Sequence, residues 1–411
     1  MTCLSPGKMA RGKKRTHAGV SHSAELFQIL SSLSKKIANQ IVWNPDLTSS
    51  LLPTSAELVS RARADLRVGL PVVLNAAEGA VLILAAETLT PIRLQALQAM
   101  NLPLVLAITG RRAETLKARA YDGDVARIIL PSDADAAWVK AVSNPADDLR
   151  APMKGPLRSD RDGDATPHRL AVRLVKSAQL LPAALVLDLK NAPMSVDLSG
   201  FTRLEARLAS ADLDLHHTLS PVAAAQLPLE ASEAGRLHIF RPDNGDIEHY
   251  AIEIGKPDRG APVLARLHSA CFTGDVLGSL KCDCGPQLRT ALATMGTEGH
   301  GILLYLNQEG RGIGLANKMR AYSLQDQGFD TVEANHRLGF EDDERDFRIG
   351  ADLLLRLGFS SVRLMTNNPA KVDMMQLMGI DVVERVPLKT KTNRFNAHYL
   401  ATKAAKSGHL L

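Results

Sequence analysis

The sequence predicts an α/β protein with two main domains. From about residue 56 onwards, apolar runs of strand length alternate with stretches of helical periodicity, which is the pattern of α/β domains. At 411 residues, the chain is long enough for two or three domains, each with a core of its own. A break at about residues 212–236 divides the alternating pattern, so we place the main domain boundary near residue 215.

The first domain is expected to alternate strands and helices in chain order. Two strands, LPVVLN and AVLILAAE, precede a helix near IRLQALQAM and the strand LPLVLAIT. Residues 144–168 are rich in Pro, Gly and charge, which predicts a long loop. A helix, RLAVRLVKSAQL, and a strand, PAALVLDL, follow this loop.

The second domain is expected to begin with the strands HYAIEIG and APVLARLHS. GILLYLNQ is predicted to be a buried strand, EGRGIG a glycine-rich turn, and LANKMRAYSLQDQG an amphipathic helix that ends at Gly. The acidic loop GFEDDERDF is expected next, before the helix IGADLLLRLG, the strand SVRLMT, the turn NNPAK and a further helix. The motifs thus lie at strand ends and helix starts, where α/β proteins bind ligands.

Composition excludes several classes of protein. Hydrophobic residues make up 45% and charged residues 23%, which is the balance of a soluble globular protein. The apolar runs are shorter than the roughly 18–20 residues of a membrane span, so no membrane association is expected. The formal charge of +5 is spread along the chain and does not imply nucleic-acid binding, although it favours anionic substrates.

Residues 1–55 are expected to form a basic, partly disordered extension. Their first part is basic but has no apolar run after it, so it is not a secretory signal. The stretch SAELFQILSSLSKKIANQIV within the extension has helical spacing.

Three of the four cysteines lie close together in a C-x10-C-x-C pattern formed by Cys271, Cys282 and Cys284. This is not a secreted disulfide framework, and reduced thiolates in the cytoplasm fit better. Three thiolates suit Zn²⁺, and three protein ligands would leave a tetrahedral ion one open position for water, as in catalytic sites. His268 could instead be a fourth ligand that closes a structural site, and the spacing does not decide between the two or exclude a metal-free cluster.

Three further motifs each have a functional and an ordinary interpretation. The glycines of QEGRGIGLANK could let backbone N–H groups approach phosphate oxygens, and Arg311 would pair with phosphate, but glycine turns between strand and helix are common. In EDDERD, Asp343 and Arg345 are either a base beside a phosphate-binding guanidinium or a solvated charge run. Thr366 and Lys371 of MTNNPAK could reach a ligand, although Asn-Asn-Pro also favours a simple turn. Together the motifs indicate metal-assisted hydrolysis of a nucleotide in one pocket.

Over roughly residues 230–411 the chain resembles GTP cyclohydrolase II. The matching segments, in order and spacing, are RLHSACFTGDVLGSLKCDCGPQL, YLNQEGRGIGLANKMRAYSLQDQGFDTVEAN, GFEDDERDF, RLMTNNPAKV and VERVPL…N…HYLATKAAKSGHLL. The resemblance implies the first step of riboflavin biosynthesis. In that reaction GTP is hydrolysed to 2,5-diamino-6-(5-phospho-D-ribosylamino)pyrimidin-4(3H)-one, formate and pyrophosphate. It also implies a homodimer, and the reduced thiolates are expected in a cytoplasmic protein.

The same resemblance implies a role for each matching residue. Cys271, Cys282 and Cys284 would hold one Zn²⁺ per subunit, whose fourth position carries the attacking water, and Mg²⁺ would bind the triphosphate. Asp343 would be the proton acceptor, Arg345 the nucleophile that takes the α-phosphoryl group, and Tyr322 a participant in the hydrolytic steps. The GTP-contacting positions would be Arg266, Leu267, His268, Ser269, Ala270, Gln287, Glu309, Gly310, Arg311, Thr331, Thr366 and Lys371.

One position departs from the family pattern. The family usually has R-V-H-S-E-C at the first zinc ligand, whereas this chain has Ala270 in place of the Glu. The missing carboxylate is expected to affect guanine recognition or proton handling.

The first domain resembles 3,4-dihydroxy-2-butanone 4-phosphate synthase in the segments GLPVVLNAAEGAVLILAAETLTP, LPLVLAIT and RLAVRLVKSAQLLPAALVLDL. That family's acidic loop, D-D-E-x-R-E-N-E-G-D, is reduced to NAAEGA with Glu78 alone, and its G-H-T-E signature is reduced to TPHR around His168. Without the carboxylates no Mg²⁺ site is expected. The domain is therefore expected to be inactive and retained for folding, dimerisation or regulation.

The two resemblances together imply an α/β (α+β) protein with two domains, each a mixed sheet flanked by helices, and a GTP cyclohydrolase II-like fold in the second. The expected division is an extension (1–55), a degenerate synthase-like domain (56–215) and a cyclohydrolase domain (216–411). Three alternatives remain: a relative that performs a partial reaction or serves another nucleotide pathway, a bifunctional enzyme that also makes dihydroxybutanone phosphate, and a zinc-stabilised binding module without catalysis.

Overall fold

The computed structural model describes residues 51–192, 196–390 and 394–395. The helical spacing predicted within the basic extension, and the C-terminal motif from residue 391 onwards apart from residues 394–395, lie outside the described residues. The described residues form two seven-stranded sheets and twelve α-helices. We refer to residues 55–214 as the N-terminal half and to residues 219–390 as the C-terminal half.

The sheet of the N-terminal half has the strand order β5-β4-β3-β6-β2-β1-β7. All neighbouring strands are antiparallel except β1 and β7, which are parallel, so the sheet is mixed. Its strands are β1 (Val72–Ala76), β2 (Gly79–Ala85), β3 (Leu104–Thr109), β4 (Val125–Ile129), β5 (Ser159–Asp160), β6 (Ala183–Asp188) and β7 (Thr202–Glu205). Its helices are α1 (Ser55–Arg67), α2 (Pro91–Ala99), α3 (Gly110–Leu116), α4 (Ala136–Ser143), α5 (Thr166–Ser177) and α6 (Ala206–Asp214).

Helices cover both faces of this sheet. Leu74 and Ile83 pack on one face in a cluster that also holds residues of α1, α5 and α6. Val73 and Leu82, each one position earlier in its strand, pack on the other face with residues of α2 and α4. This switch of face between consecutive residues is the period of a β-strand, and near-continuous apolar strands result because both faces are buried.

The sheet of the C-terminal half has the strand order β14-β13-β11-β12-β10-β9-β8. Strands β14, β13, β11 and β12 are parallel, whereas β12, β10, β9 and β8 pair antiparallel. Its strands are β8 (Leu219–Gln226), β9 (Gly235–Pro242), β10 (His249–Ile254), β11 (Val263–Ser269), β12 (Gly301–Leu306), β13 (Ser361–Met365) and β14 (Asp381–Val386). Its helices are α7 (Phe272–Asp275), α8 (Cys284–Glu298), α9 (Leu315–Asp326), α10 (Thr331–Leu338), α11 (Arg348–Arg356) and α12 (Pro369–Leu377).

Helices also flank this second sheet. Residues of α11 and α12 pack with Val263 and Leu304 in one cluster, and Ala291 and Met295 of α8 pack with Leu303 in another. The prediction of two mixed sheets flanked by helices is therefore confirmed. No helix in the described part of the chain combines the length and the apolar composition that a bilayer crossing needs.

Three predictions about the connections were wrong. The predicted break at 212–236 contains the end of α6 and the edge strand β8. Strand β8 is mostly exposed and contains Pro221 beside a register shift. It therefore lacks the apolar, β-branched pattern by which a buried strand is predicted. The predicted loop at 144–168 contains β5 and the first residues of α5. The acidic loop does not follow α9 directly, because α10 intervenes, starting at an Asp330–Glu333 capping box and ending at Gly339 in the left-handed region.

Candidate active and metal-binding site

The predicted site residues are brought together by three neighbouring parallel strands. Strand β11 pairs in parallel with β12 on one side and with β13 on the other, so their carboxyl ends lie at the same edge of the sheet. The cysteine segment follows β11, the glycine-rich turn follows β12, and the NNPAK turn follows β13. All three segments line one cavity at this edge, which is the usual ligand-binding position of such sheets.

The three cysteine thiols are arranged as a metal site would require. Their Sγ atoms all lie within 4.8 Å of one another, and those of Cys271 and Cys282 are 3.7 Å apart. A Zn–S distance of about 2.3 Å gives an S···S separation of about 3.8 Å in a tetrahedral site. Gly274 leaves the space that they need, because a Cβ at this position would lie 2.8 Å from Cys282 Sγ. The residues therefore fit a zinc ion.

The charges around the thiols also favour a cation. Hydrogen bonds from Cys282 and Cys284, together with Lys318, lower the pKa of the Cys271 thiol. The contact with Cys271 in turn raises the pKa values of Cys282 and Cys284. Three adjacent thiolates repel one another unless a positive charge offsets them.

Lys318, on α9, supplies positive charge at the edge of this cluster and was missed in the sequence. Its Nζ donates hydrogen bonds to Cys271 Sγ (3.0 Å), Thr273 Oγ1 (2.9 Å) and Glu309 Oε1 (2.9 Å). Burial lowers the pKa of the ammonium, but the contact with Cys271 and its anionic neighbours outweigh burial, and the net shift is upward. The sequence did contain a signal for this residue, because Lys318 lies four residues before Tyr322 and thus on the same helix face.

His268 is held by a carboxylate rather than directed at the thiols. Its Nε2 lies 3.1 Å from both oxygens of Asp275, which also accepts hydrogen bonds from Tyr305 Oη (2.9 Å) and the Cys271 N–H (3.0 Å). Burial lowers the pKa of His268. Among the residues that the structure describes, the group close enough to share a metal consists of the three cysteines and does not include His268.

The glycine-rich turn connects the cysteine segment with the acidic loop. Gly310 and Arg311 both adopt left-handed backbone angles, with φ of 63° and 64°. Glu309 Oε2 accepts a hydrogen bond from the Phe272 N–H (2.6 Å), and Arg311 Nη1 donates to the Asp342 carbonyl (3.1 Å). The turn is thereby fixed against both neighbouring segments.

Asp343 and Arg345 form a closely bonded pair at the side of the cavity. Arg345 Nε donates to Asp343 Oδ1 (2.7 Å), and its Nη1 donates to Ser269 Oγ (3.2 Å). Burial raises the pKa of Asp343, but the hydrogen bonds from Arg345 lower that pKa by more. The net shift is downward, so the carboxylate is ionised at neutral pH. Arg345 lines both this cavity and a neighbouring one, whereas Asp343 lines the neighbouring cavity alone.

Further side chains of the cavity are also cationic. Arg266 donates from Nη1 to the Met365 carbonyl (2.9 Å) and from Nη2 to Gln287 Oε1 (2.5 Å), while its buried Nε has no hydrogen-bond partner among the described residues. Burial lowers the pKa of Arg266 to about 10, which leaves it charged. Lys371 Nζ donates to the Leu267 carbonyl (3.3 Å). With Arg311, Lys318 and Arg345, these side chains suit an anionic ligand.

Comparison with known proteins identifies the family. The sequence profile of GTP cyclohydrolase II matches residues 220–387. A GTP cyclohydrolase-2 of Azospirillum brasilense is 42% identical over 375 residues, which cover 89% of this chain and 97% of that protein. The chain belongs to the GTP cyclohydrolase II family.

Other members of the GTP cyclohydrolase II family match a shorter part of the chain. The GTP cyclohydrolase-2 of Azotobacter vinelandii is 56% identical over 190 residues, which cover 46% of this chain and 91% of that protein. The GTP cyclohydrolase-2 of Hahella chejuensis is 58% identical over 175 residues, which cover 43% of this chain and 84% of that protein. A solved structure of a two-domain 3,4-dihydroxy-2-butanone 4-phosphate synthase from A. baumannii covers 81% of this chain and 99% of its own, at 16% identity and a TM-score of 0.28.

Of the residues that the resemblance to GTP cyclohydrolase II pointed to, all except Asp343 line the one cavity. They include Tyr322, Thr331, Thr366 and Ala270, the last at the position where the family usually has Glu. Lining residues that the sequence did not single out are Ile313, Lys318, Ala321, Gln325, Asn335, Asn367, Asn368 and Leu388. Asp275, which anchors His268, was also missed, and no spacing signal in the cysteine segment distinguishes it.

Proposed function

We propose that this protein is a zinc-dependent GTP cyclohydrolase that carries out the first step of riboflavin biosynthesis. It would convert GTP to 2,5-diamino-6-(5-phospho-D-ribosylamino)pyrimidin-4(3H)-one, formate and pyrophosphate. The observation that supports this most directly is the meeting of three thiols and a cationic cavity at the ends of three parallel strands. A metal beside an anion-binding cavity is what hydrolysis of a nucleoside triphosphate requires.

Cys271, Cys282 and Cys284 would hold the zinc ion. Bound there, zinc would supply Lewis acidity that activates water for attack on the purine ring. Lys318 offsets the charge of Cys271 and keeps Glu309 and Thr273 in place.

Asp275 and Tyr305 position His268 next to the first cysteine. The carboxylate accepts hydrogen bonds from both side chains and from the Cys271 backbone, so His268 has one orientation. Burial lowers the pKa of His268, so at neutral pH we assign it the uncharged form, with its Nε2–H donating to Asp275. We assign His268 and Tyr322 to the purine end of the cavity, with Tyr322 participating in the hydrolytic steps.

Arg345 and Asp343 would act on the phosphates. A nitrogen of Arg345 bonds to the α-phosphorus as the α–β phosphoanhydride bond breaks and pyrophosphate leaves, and Asp343 accepts the guanidinium proton. Water then cleaves the N–P bond, and the proton returns to the guanidine. The hydrogen bond from Arg345 Nε to Asp343 Oδ1 (2.7 Å) would provide the direct path for that proton. Arg266, Arg311 and Lys371 would bind the remaining charge of the triphosphate together with Mg²⁺.

We further propose that residues 56–215 form a catalytically inactive synthase-like domain, that residues 216–411 form the cyclohydrolase domain, and that the basic extension 1–55 lies outside both. The three reduced thiols fit a cytoplasmic enzyme. A homodimer is proposed from the family resemblance alone.

The test is incubation of the purified chain with GTP and Mg²⁺, with formate and pyrophosphate measured separately. Equal release of the two products supports the proposal. Pyrophosphate without formate would indicate a relative that performs a partial reaction. Absence of both products would favour the zinc-stabilised binding module without catalysis. Formation of dihydroxybutanone phosphate from ribulose 5-phosphate would show that the N-terminal domain is active after all.

A further inference from the structure

The N-terminal half contacts the acidic loop (residues 341–346) through two ion pairs. The Arg111–Glu341 pair (3.0 Å) joins side chains that are 42% and 58% exposed, whereas the pair made by Lys176 is more shielded. Lys176, near the end of α5, donates from Nζ to Glu344 Oε1 at 2.7 Å. The two side chains are 24% and 21% exposed, so the pair is partly shielded from solvent. Glu344 lies between Asp343 and Arg345 in the sequence, and its placement therefore constrains the backbone of both.

Glu344 forms hydrogen bonds both within the acidic loop and to the glycine-rich turn. Its Oε1 also accepts a hydrogen bond from the Glu341 N–H (2.8 Å), and its own N–H donates to the Arg311 carbonyl (3.0 Å). Gly312 is packed directly against it, since a Cβ there would lie 2.8 Å from the Glu344 carbonyl carbon. Lys176 thus holds one of the two residues through which Arg311 ties the loop to the glycine-rich turn.

Other contacts from the N-terminal half reach the same part of the site. Glu87 forms an ion pair with Arg320 (2.8 Å) on α9, the helix that carries Lys318 and Tyr322. The Gln179 carbonyl accepts a hydrogen bond from Asn317 Nδ2 (3.1 Å), also on α9.

We infer that the N-terminal half serves as a scaffold for the cyclohydrolase site, and that Lys176 is a positioning residue for the Asp343–Arg345 pair. The inference rests on the proposed function of that pair. A partly exposed ion pair contributes little to global stability, so its loss acts mainly on the geometry of the loop. Displacement of a reacting group by about 1 Å can cost about 10²-fold in rate. Because the loop keeps its contact with Arg311 and the Arg111–Glu341 ion pair, we expect a loss of about tenfold from Lys176 alone.

The experiment compares Lys176→Met, Glu344→Gln, the double variant and Lys176→Arg with the wild type. Lys176→Met should lower kcat for GTP about tenfold and change KM less than about twofold, because the contact affects the reacting groups more than ground-state binding. Glu344→Gln should lower kcat similarly, and the double variant should be no worse than either single variant, since both remove one interaction. Lys176→Arg should recover most of the rate.

Arg173→Met is the matched control. Arg173 lies one turn earlier on α5, but it pairs with Asp214 and Ser210 of the N-terminal half. It should retain wild-type kcat. If Lys176→Met keeps wild-type kcat, if Arg173→Met loses as much, or if the losses of the two partners multiply in the double variant, the inference is wrong.

Failure of the inference can be told apart from failure of the proposed function. Absence of formate and pyrophosphate with the wild type would reject the proposed function without touching the contact itself. Hydrogen exchange of the peptide that covers residues 341–346 then decides the inference. Faster exchange in Lys176→Met than in Arg173→Met supports the scaffold, and equal exchange rejects it.

Discussion

Metal binding at the three thiols should depend sharply on Gly274. This residue lies in α7, within the segment between the first two cysteines. A Cβ added there would lie 2.8 Å from Cys282 Sγ, 3.1 Å from Cys271 Sγ and 3.0 Å from Cys284 Cβ. Gly274→Ala therefore places one methyl group against all three ligand residues.

The size of the effect follows from these distances. Non-bonded carbon contacts are comfortable at about 3.5–4.0 Å, so the Cys282 sulfur would have to move by about 0.7 Å or more. Metal–ligand distances tolerate about 0.2 Å. We expect zinc affinity to fall at least about 10²-fold, the upper end of the loss seen when a ligand's support is removed. Overpacking should also cost about 1–3 kcal/mol of folding free energy.

Competition with a chromophoric chelator measures the zinc affinity, and formate release from GTP measures the consequence. Gly200→Ala is the control, because Gly200 is exposed and a Cβ there would meet nothing within 4 Å among the described residues. Zinc affinity in Gly274→Ala within about twofold of the wild type would refute this reasoning, since the sulfurs would then not be the ligands in this arrangement.

Three further predictions concern the metal, the guanidinium and the fold. Cys282→Ser should abolish bound zinc and formate release while shifting the melting temperature by only a few degrees, and global unfolding in calorimetry would indicate a structural metal instead. Arg345→Ala should reduce pyrophosphate release at least about 10²-fold in a coupled phosphate assay. Unchanged turnover would show that the acidic loop is an ordinary solvated charge run. Burial raises the pKa of Asp148, but Arg112 and Lys154 lower it more, to a net value below 3.8. Because the folded-state pKa is depressed, this stabilisation is complete above pH 3.8 and is lost as the pH falls through the lower value. Asp148→Asn should therefore cost about 1–3 kcal/mol near neutral pH in urea unfolding, and the gap to the wild type should narrow towards pH 3.

Much of the fold could be predicted because its strands are buried on both faces. Strands such as β2, β3 and β12 are continuous apolar runs, and the sequence signal is strong there. Strand β8 was missed because its residues are mostly exposed and it contains Pro221. Helix α10 is short, and its capping box was the signal that could have identified it.

The site could be predicted in part for a similar reason. The cysteine segment, the glycine-rich turn and the NNPAK turn are local motifs, and each follows a recognisable strand. Asp275 was missed because its role depends on neighbours from other segments. Lys318 shares a helix face with Tyr322, but its contact with Cys271 depends on a segment 47 residues away.

The sequence by itself determined the chemical groups: three thiols in a tight pattern, a glycine-rich turn, and a carboxylate beside a guanidinium. Only the tertiary structure decided that His268 faces Asp275 and that Asp343 lies outside the cavity that Arg345 lines with the cysteines. It also decided that Lys176 reaches Glu344, which is 168 residues away in the chain. Spacing and periodicity are local properties of the chain, whereas these contacts depend on how the parallel strands and the N-terminal half bring distant segments together.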